Sequence, residues 1–173
     1  MKLNNLVKAA LFTSTSIGLG FVFMLIPNVE FISVTVFLSG LTLGLYFGTL
    51  VGGASMLIYS VLNPLGSGLV YLPMLIGQII AMSGIGLIGS LNRKLLFSLP
   101  TRVLIPISGI LGAFCALWYD GITTLSYPIS AGYNLDESLA YLFSGILFTV
   151  MHIISNILIF SIVVPSYLSR IAN

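Results

Sequence analysis

The sequence predicts an all-α fold: an integral membrane bundle of six transmembrane helices that forms a single domain over residues 1–173. Of its 173 residues, 58% are hydrophobic and only 6% are charged, whereas soluble domains carry about 25% charged residues. The mean hydropathy is +1.15. Apolar runs of about 20 residues recur, the length that a helix needs to cross a hydrocarbon core about 30 Å thick. No room is left for a soluble catalytic domain, so we do not expect an enzyme.

The first three helices are separated by a proline and by a glycine turn. Helix one is expected over residues 6–26, and Pro27 ends it because proline has no amide hydrogen to donate. The next apolar run, residues 31–62, would form about 48 Å of helix, too long for one crossing. Glycines at positions 40, 44, 48 and 52 recur every four residues. They indicate two helices with a break between Gly44 and Gly48.

The other three helices are bounded by polar or proline-containing segments. Residues 63–68 have the turn chemistry of a loop. Helix four is expected over residues 73–91, helix five over 103–123 and helix six over 139–164, where Pro165 ends it. Residues 126–138 are predicted to be a polar loop. The total is six crossings.

Charge sorting favours six crossings and gives an orientation. Six crossings put both termini on one side, and all the basic residues then fall on that side, which the positive-inside bias identifies as the cytoplasm. A five-helix arrangement would put some of them outside. The carboxylates fall at or near the external side. The basic residues are Lys2, Lys8, Arg93, Lys94, Arg102 and Arg170, and the acidic residues are Glu30, Asp120, Asp136 and Glu137.

The carboxylates after helix one and before helix six have capping explanations. Asn28 is a good N-cap residue, and Glu30 would then lie in the first turn of helix two, where the helix dipole favours a negative charge by about 0.3–1 kcal/mol. Alternatively, Glu30 is an external carboxylate that accepts hydrogen bonds from a solute. Asn134 and Glu137 have the spacing of a capping box, which accounts for the acidic pair Asp136 and Glu137.

Asp120 is not explained by capping, because it is predicted near the end of helix five, where a negative charge opposes the dipole. An ionisable group at a membrane segment indicates function. Trp118 and Tyr119 beside it are either part of an interfacial aromatic belt or a stacking surface for a ring. Gln78, in the outer part of helix four, is a buried amide that needs a partner or a ligand.

Helix six carries a polar face, because five of its residues are spaced three or four apart. The outer part, Tyr141 to Thr149, lies at a depth that an external ligand could reach. His152 and Asn156 are deeper and are predicted to form hydrogen bonds to another helix. The five residues are Tyr141, Gly145, Thr149, His152 and Asn156.

Helix one carries a stripe of small residues, Ala10, Ser14 and Gly18, which suits either intramolecular packing or docking of a partner subunit.

The sequence argues against several kinds of functional site. One His and one Cys cannot form a cluster of protein metal ligands, and no Walker-type loop is present, so the chain does not itself hydrolyse ATP in that manner. No cofactor is expected. The net charge of +2 gives no indication of nucleic acid, since the basic residues are sorted by membrane side.

Four segments together resemble the substrate-binding S component of energy-coupling factor (ECF) transporters. They are residues 26–30, the glycine-rich stretch 40–53, residues 63–66 and Gln78. The resemblance implies a multi-pass protein of a prokaryotic cell membrane that captures a water-soluble vitamin or related micronutrient with high affinity on the outer side. It also implies partners: a membrane-embedded scaffold subunit and two cytoplasmic ATPases.

The resemblance further implies a pocket near the external surface among helices four to six, covered by the loops after helices one and three. With Thr149 from the polar face, the expected substrate-binding residues are Asn28, Glu30, Asn63, Gln78, Trp118, Asp120, Tyr141 and Thr149. The stripe on helix one is expected to meet the scaffold subunit. No Arg or Lys would face this pocket, so Glu30 and Asp120 favour a ligand that is rich in donors or positively charged, such as an aminopyrimidine. The nickel and cobalt branch is disfavoured, because no early histidine is present.

Two other classes of protein were weighed. A rod-shape scaffold of the MreD kind has a similar size and helix count but transports nothing, and it would not need Gln78 and Asp120 to converge. A small membrane enzyme acting on lipids is disfavoured, because its acidic residues would need partners that the sequence does not identify.

Overall fold

The computed structural model describes residues 3–66 and 68–171, and Lys2 lies outside them. This part of the chain is helical apart from short connections, which confirms the all-α prediction. A single turn of 3-10 helix at Gly68–Val70 precedes the fourth helix. The α-helices are α1 Leu3–Phe23, α2 Ile32–Leu43, α3 Leu45–Leu62, α4 Leu72–Leu91, α5 Arg93–Ser98, α6 Thr101–Ala131, α7 Leu135–Ser144 and α8 Ile146–Ile171.

Among the residues that the structure describes, five segments are long and apolar enough to cross a membrane. They are Asn4–Phe23, Leu45–Leu62, Leu72–Ser98, Thr101–Ala131 and Ile146–Ile171. The remaining apolar helix, α2, has only 12 residues, about 18 Å at 1.5 Å per residue, which is shorter than a hydrocarbon core. The prediction of six transmembrane helices is therefore confirmed for five of them.

The short helix α2 forms the centre of the bundle. Every residue from Ile32 to Leu41 is buried, and α1, α3, α4 and α8 pack around it. Phe37 meets Phe160 of α8 edge to face, with ring centroids 5.2 Å apart. A helix enclosed in this way has its side chains shielded by protein rather than by lipid, so its length need not match the bilayer.

Three helices meet at a point that we call the glycine junction, formed by Gly40 of α2, Gly48 of α3 and Gly86 of α4. A Cβ added at Gly40 would overlap the Gly86 carbonyl, and one added at Gly86 would overlap the Gly48 carbonyl. Gly44 has a φ of 85° and separates α2 from α3, a conformation that glycine adopts without steric cost. The predicted break in this apolar run is confirmed.

The helices define two ends of the bundle. At the Gly44 end, Thr42 of α2 hydrogen-bonds to Tyr167 of α8 at 2.8 Å. Lys8 of α1 lines a cavity with Tyr167, so the start of α1 and the end of α8 lie near each other. At the opposite end, which we call the Glu30 end, the segment between α1 and α2 meets α6 and α8.

Two predicted helix ends are wrong. Helix five was expected to stop at Thr123, but α6 runs through Pro128 to Ala131 and ends at Gly132 in the left-handed conformation. Helix six was expected to stop at Pro165, but α8 runs through it to Ile171. Both prolines are buried. A proline removes one backbone hydrogen bond from a helix, and packing at these two positions holds the helix together despite the loss.

The start of the predicted helix six is also different. Residues 139–164 were expected to form one helix, but they belong to α7 and α8, which are separated at Gly145. The capping box is confirmed, since the Asn134 side chain accepts from the Glu137 amide at 2.9 Å and Glu137 Oε2 accepts from the Asn134 amide at 2.8 Å. It begins α7 rather than a membrane-crossing helix.

Candidate functional site

The Glu30 end contains an acid–histidine cluster formed by Glu30, Asp120 and His152. His152 of α8 lies between the two carboxylates: its Nδ1 is 2.8 Å from Asp120 Oδ1 of α6, and its Nε2 is 3.6 Å from Glu30 Oε1. The side chain of His152 is 8% exposed, against 25% for Glu30 and 18% for Asp120. The prediction that His152 hydrogen-bonds to another helix is confirmed, because this bond joins α8 to α6.

Glu30 has two roles that use its two oxygens separately. Its Oε2 accepts from the backbone amide of Ser33 at 3.0 Å, so the side chain caps α2, while Oε1 faces His152. Burial alone would raise the pKa of Glu30, but the His152 ring and the Ser33 hydrogen bonds outweigh burial and hold this pKa below its ordinary value.

The prediction that Asn28 caps the second helix is wrong. Asn28 adopts a left-handed conformation with φ of 59°, and the helix starts after Phe31, which makes no side-chain cap hydrogen bond. Asn28 instead forms part of the turn that carries the chain from α1 to Glu30. Its place in that turn brings it to the wall of the cavity beside the cluster.

The cluster opens onto a cavity of about 260 Å³ beneath the segment between α1 and α2. Three buried polar atoms have no hydrogen-bond partner: Glu30 Oε1, Asp120 Oδ2 and His152 Nε2. Unpartnered buried polar atoms are uncommon in native proteins, because each one loses its hydration without compensation. The cavity walls come from the following residues: Gly20, Phe23, Met24, Ile26, Pro27, Asn28, Val29, Glu30, Tyr59, Tyr119, Asp120 and His152.

Asp120 is not near a helix end, as the sequence had indicated. It is an interior residue of the 31-residue helix α6, eleven positions before the last residue. The expected opposition to the helix dipole is therefore wrong, since that effect is confined to the last turn. What marks Asp120 instead is its pairing with His152 beside the cavity.

Gln78 and Asn63 have protein partners and do not line this cavity. The Ser60 hydroxyl of α3 donates to Gln78 Oε1 of α4 at 2.7 Å, so this half-buried amide joins two helices. Asn63 Oδ1 accepts from the Leu65 amide at 2.9 Å, a side-chain turn that ends α3.

Trp118 lies on a different face of α6 from Asp120. Its Nε1 donates to the Ala81 carbonyl of α4 at 2.9 Å, and its ring covers Gly84 so closely that an added Cβ there would meet the indole. The structure therefore gives Trp118 a role in packing α6 against α4, at a distance from the cavity.

Tyr141 belongs to a second cavity of about 340 Å³, between the start of α4 and the α6–α7 region. It stacks on Tyr127 with ring centroids 5.5 Å apart, and Tyr71 lines the same space. Thr149 lies one turn before His152 on α8. The structure thus separates Tyr141 from Glu30 and Asp120, which the sequence had expected to converge.

Asn156 does not form the predicted hydrogen bond to another helix. Its Nδ2 donates to the His152 carbonyl within α8 at 3.2 Å, so the prediction is wrong for this amide group. Its Oδ1 is buried without a partner. The close approach of α6 and α8 occurs here, because a Cβ added at Gly112 would meet the Asn156 backbone.

The stripe Ala10, Ser14 and Gly18 faces away from the protein core. All three residues are exposed, and a Cβ added at Gly18 would meet nothing within 4 Å. Ala10 and Ser14 line an apolar groove of about 500 Å³ between α1 and α3. Intramolecular packing, one of the two explanations weighed for the stripe, therefore does not account for it.

Three polar residues of the cavity were not among the expected binding residues: His152, Tyr59 and Tyr119. His152 is the only imidazole in the chain, and the predicted pocket carboxylates had no basic partner, which was a usable signal. Tyr119 was weighed with Trp118 as a stacking surface but was not chosen, and Tyr59 gave no signal, because it lies in an apolar run whose buried face depends on the tertiary packing. The Tyr119 ring meets the His152 ring edge to face, with centroids 6.2 Å apart.

The arrangement can hold a small polar molecule, with carboxylates and an imidazole at one side and aromatic rings at another. Over residues 3–66 and 68–171, no three His, Cys, Asp or Glu side chains are placed to hold a metal ion. The site thus offers hydrogen-bond acceptors and charge. Comparison with protein-family models, with curated proteins and with solved structures finds no match for this chain.

Proposed function

We propose that this chain captures a small water-soluble micronutrient at the acid–histidine cluster, as the substrate-binding S component of an ECF-type importer. The observation that carries the proposal is the cavity that contains three buried, unpartnered polar atoms of Glu30, Asp120 and His152. Such atoms are costly unless a ligand or water completes their hydrogen bonds. A membrane scaffold has no need for them.

The segment between α1 and α2 would act as the lid of this site. Residues from Ile26 to Glu30 line the cavity, and the Phe23 and Phe31 rings, 4.5 Å apart, lie at the two ends of the segment. Glu30 belongs to the lid and also caps α2 through its hydrogen bond with the Ser33 amide. A ligand that engages Glu30 would therefore pull the lid onto the bundle.

In the proposed orientation the Glu30 end faces the exterior and both termini are cytoplasmic. The basic residues Arg93, Lys94, Arg102 and Arg170 would then lie on the cytoplasmic side, as the positive-inside bias requires. In this arrangement α2 makes the sixth crossing as a short helix enclosed by protein. The energy for uptake would come from partners: a membrane scaffold subunit and two cytoplasmic ATPases.

Release of a bound molecule from the purified protein tests the proposal. We expect native mass spectrometry of protein purified gently from its own membranes to detect a reproducible ligand of vitamin size. Asp120→Ala should lose this ligand, whereas the matched variant Asp136→Ala, which changes an exposed carboxylate on α7, should keep it. An empty protein that also fails to co-purify with a scaffold subunit and ATPases would contradict the proposal and favour a scaffold of the MreD kind.

A second experiment tests the partners separately. Because Ser14 is exposed in the groove between α1 and α3, Ser14→Leu should reduce co-purification of the other subunits while leaving the bound ligand in place. Ser166→Leu is a matched control, since Ser166 is an exposed serine on α8. Equal co-purification of both variants with the wild type would show that this groove is not the docking surface.

A further inference from the structure

The acid–histidine cluster carries more negative than positive charge. Both ion pairs found within residues 3–66 and 68–171 involve His152, so the two carboxylates share one imidazole. If Nδ1 donates to Asp120, a neutral ring would turn the lone pair of Nε2 toward Glu30 Oε1, and two acceptors would face each other. An imidazolium avoids this. Even with an imidazolium, one negative charge stays uncompensated in a largely buried place.

The hydrogen bonds already made within the cluster determine which groups a ligand must supply. Ser33 occupies Glu30 Oε2 and His152 occupies Asp120 Oδ1. The other oxygen of each carboxylate is buried and makes no hydrogen bond, since His152 Nε2 lies 3.6 Å from Glu30 Oε1, an ion-pair distance beyond hydrogen-bond reach. A carboxylate oxygen can only accept. A molecule that satisfies both oxygens must therefore bring at least two hydrogen-bond donors to the same side of the cavity.

The walls of the cavity favour a flat molecule. The Tyr59 and Tyr119 side chains and the Phe23 ring line it. Its volume is about 260 Å³, whereas an apolar cavity of about 150 Å³ is enough to bind benzene. One aromatic ring with a polar substituent therefore fits, and a wall rich in aromatic side chains suits a cation better than an anion.

We infer that the ligand of this site is a planar monocation that donates at least two N–H groups, such as an amidinium or a protonated ring that bears amino groups. This assignment rests on the proposed function, because it names the class of solute captured there. A single positive charge balances the cluster, and two N–H donors satisfy Glu30 Oε1 and Asp120 Oδ2. Anions and planar cations without N–H groups are excluded by the same chemistry.

A series of probes of nearly equal shape tests the charge and the donors. Benzamidinium is a planar monocation with N–H donors, benzamide is its neutral counterpart, benzoate is its anionic counterpart and N-methylpyridinium is a planar aromatic cation without N–H groups. We expect titration calorimetry on the detergent-solubilised full chain to give a Kd for benzamidinium at least about tenfold below that of benzamide, since hydrogen bonds to charged groups are the stronger ones. Benzoate and N-methylpyridinium should bind still more weakly.

Variants at Glu30 and Asp120 test whether the cluster causes the preference for benzamidinium over benzamide. Glu30→Gln and Asp120→Asn should each reduce the difference between benzamidinium and benzamide to less than about threefold, because each removes the excess charge. Glu137→Gln is the matched control: it changes an exposed glutamate of the α7 capping box and should keep the full difference. Thermal unfolding of each variant shows whether it is folded.

Equal binding of benzamide and benzamidinium, binding of none of the probes, or an unchanged preference in folded Glu30→Gln would overturn the inference. These outcomes differ from a failure of the proposed function. If the native protein releases a neutral or anionic molecule and loses it on Asp120→Ala, capture stands and the ligand class is wrong. If the protein is empty and isolated from any transporter subunits but prefers benzamidinium, the ligand class stands and the transport assignment is wrong.

Discussion

The glycine junction and the acid–histidine cluster lie toward opposite ends of the same bundle and differ in how completely they are packed. At the junction, the backbones of Gly40, Gly48 and Gly86 are so close that none of the three positions has room for a methyl group. At the cluster, Glu30 and His152 face each other across 3.6 Å beside an open cavity. One end is filled with backbone, whereas the other has unfilled space and unsatisfied polar atoms.

The difference in packing indicates that the junction contributes mainly to stability and the cluster mainly to binding. Close backbone approach through small residues is the usual way for helices to associate in a membrane, where the hydrophobic effect does not drive one helix onto another. A binding site needs the opposite: polar groups whose hydrogen bonds are left for a ligand to complete. The comparison predicts that substitutions at the junction affect folding first, and that substitutions at the cluster affect binding as well as stability.

The largest expected effect comes from a methyl group at the junction. Gly86→Ala would place its Cβ on the Gly48 carbonyl, and the helices must separate, at a cost of about 3 kcal/mol or more, the upper range for overpacking. We expect a marked fall in yield and in the thermal unfolding midpoint in detergent. Gly121→Ala is the matched control, since nothing lies within 4 Å of an added Cβ there. It should be neutral or slightly stabilising.

A smaller effect is expected at the cluster. His152→Ala leaves Glu30 and Asp120 without their shared partner, and we expect a loss of about 1–3 kcal/mol, limited by the partial exposure of both carboxylates. Adding Glu30→Gln to His152→Ala should recover part of this loss, because it removes one of the two facing charges. Thermal unfolding of the single and double variants measures both. An unchanged midpoint in His152→Ala would show that the cluster contributes no stability.

The two regions also differ in how far the sequence predicted them. At the junction, the turn between α2 and α3 was predicted: the 32-residue apolar run is too long for one crossing, its glycines indicate where it turns, and the turn occurs at Gly44. The contact of Gly40 and Gly48 with Gly86 of α4 was not predicted. The cluster was foreseeable only in part. Glu30 and Asp120 were expected to lie near each other, but His152 was assigned only to an unspecified partner, because the sequence does not say which faces of α6 and α8 meet.

The errors in the prediction have one physical origin, the packing of distant helices. Residues 126–138 were predicted to be a polar loop that includes Pro128, a residue that disfavours helix locally, yet Pro128 is buried within α6. That extension moved Asp120 into the middle of a helix and removed the dipole argument. It also carried Tyr127 to the side of Tyr141, so that Tyr141 lies in a separate cavity. Tertiary contacts override a local preference of this size.

Trp118 sharpens the comparison, because it lies two residues from Asp120 but belongs to the packed part of the molecule. Trp118→Phe keeps most of the ring and removes the hydrogen bond to the Ala81 carbonyl, so we expect a loss of about 0.5–1.5 kcal/mol. Thermal unfolding measures this loss, and native mass spectrometry should show unchanged ligand content. A loss of bound ligand in a folded Trp118→Phe variant would show that Trp118 contributes to ligand binding, as the sequence analysis expected.

The smallest effect is expected at α7, which has no buried residues and belongs to neither region. Asn134→Ala removes the side chain that accepts from the Glu137 amide, and helix caps of this kind contribute about 1 kcal/mol to the helix that they begin. Because α7 buries nothing, we expect the loss to stay local. Hydrogen exchange should be faster at the first amides of α7, while the thermal midpoint and the bound ligand stay unchanged. A lower midpoint would mean that α7 is coupled to the packed bundle, and that stability extends further toward the Glu30 end than the two regions indicate.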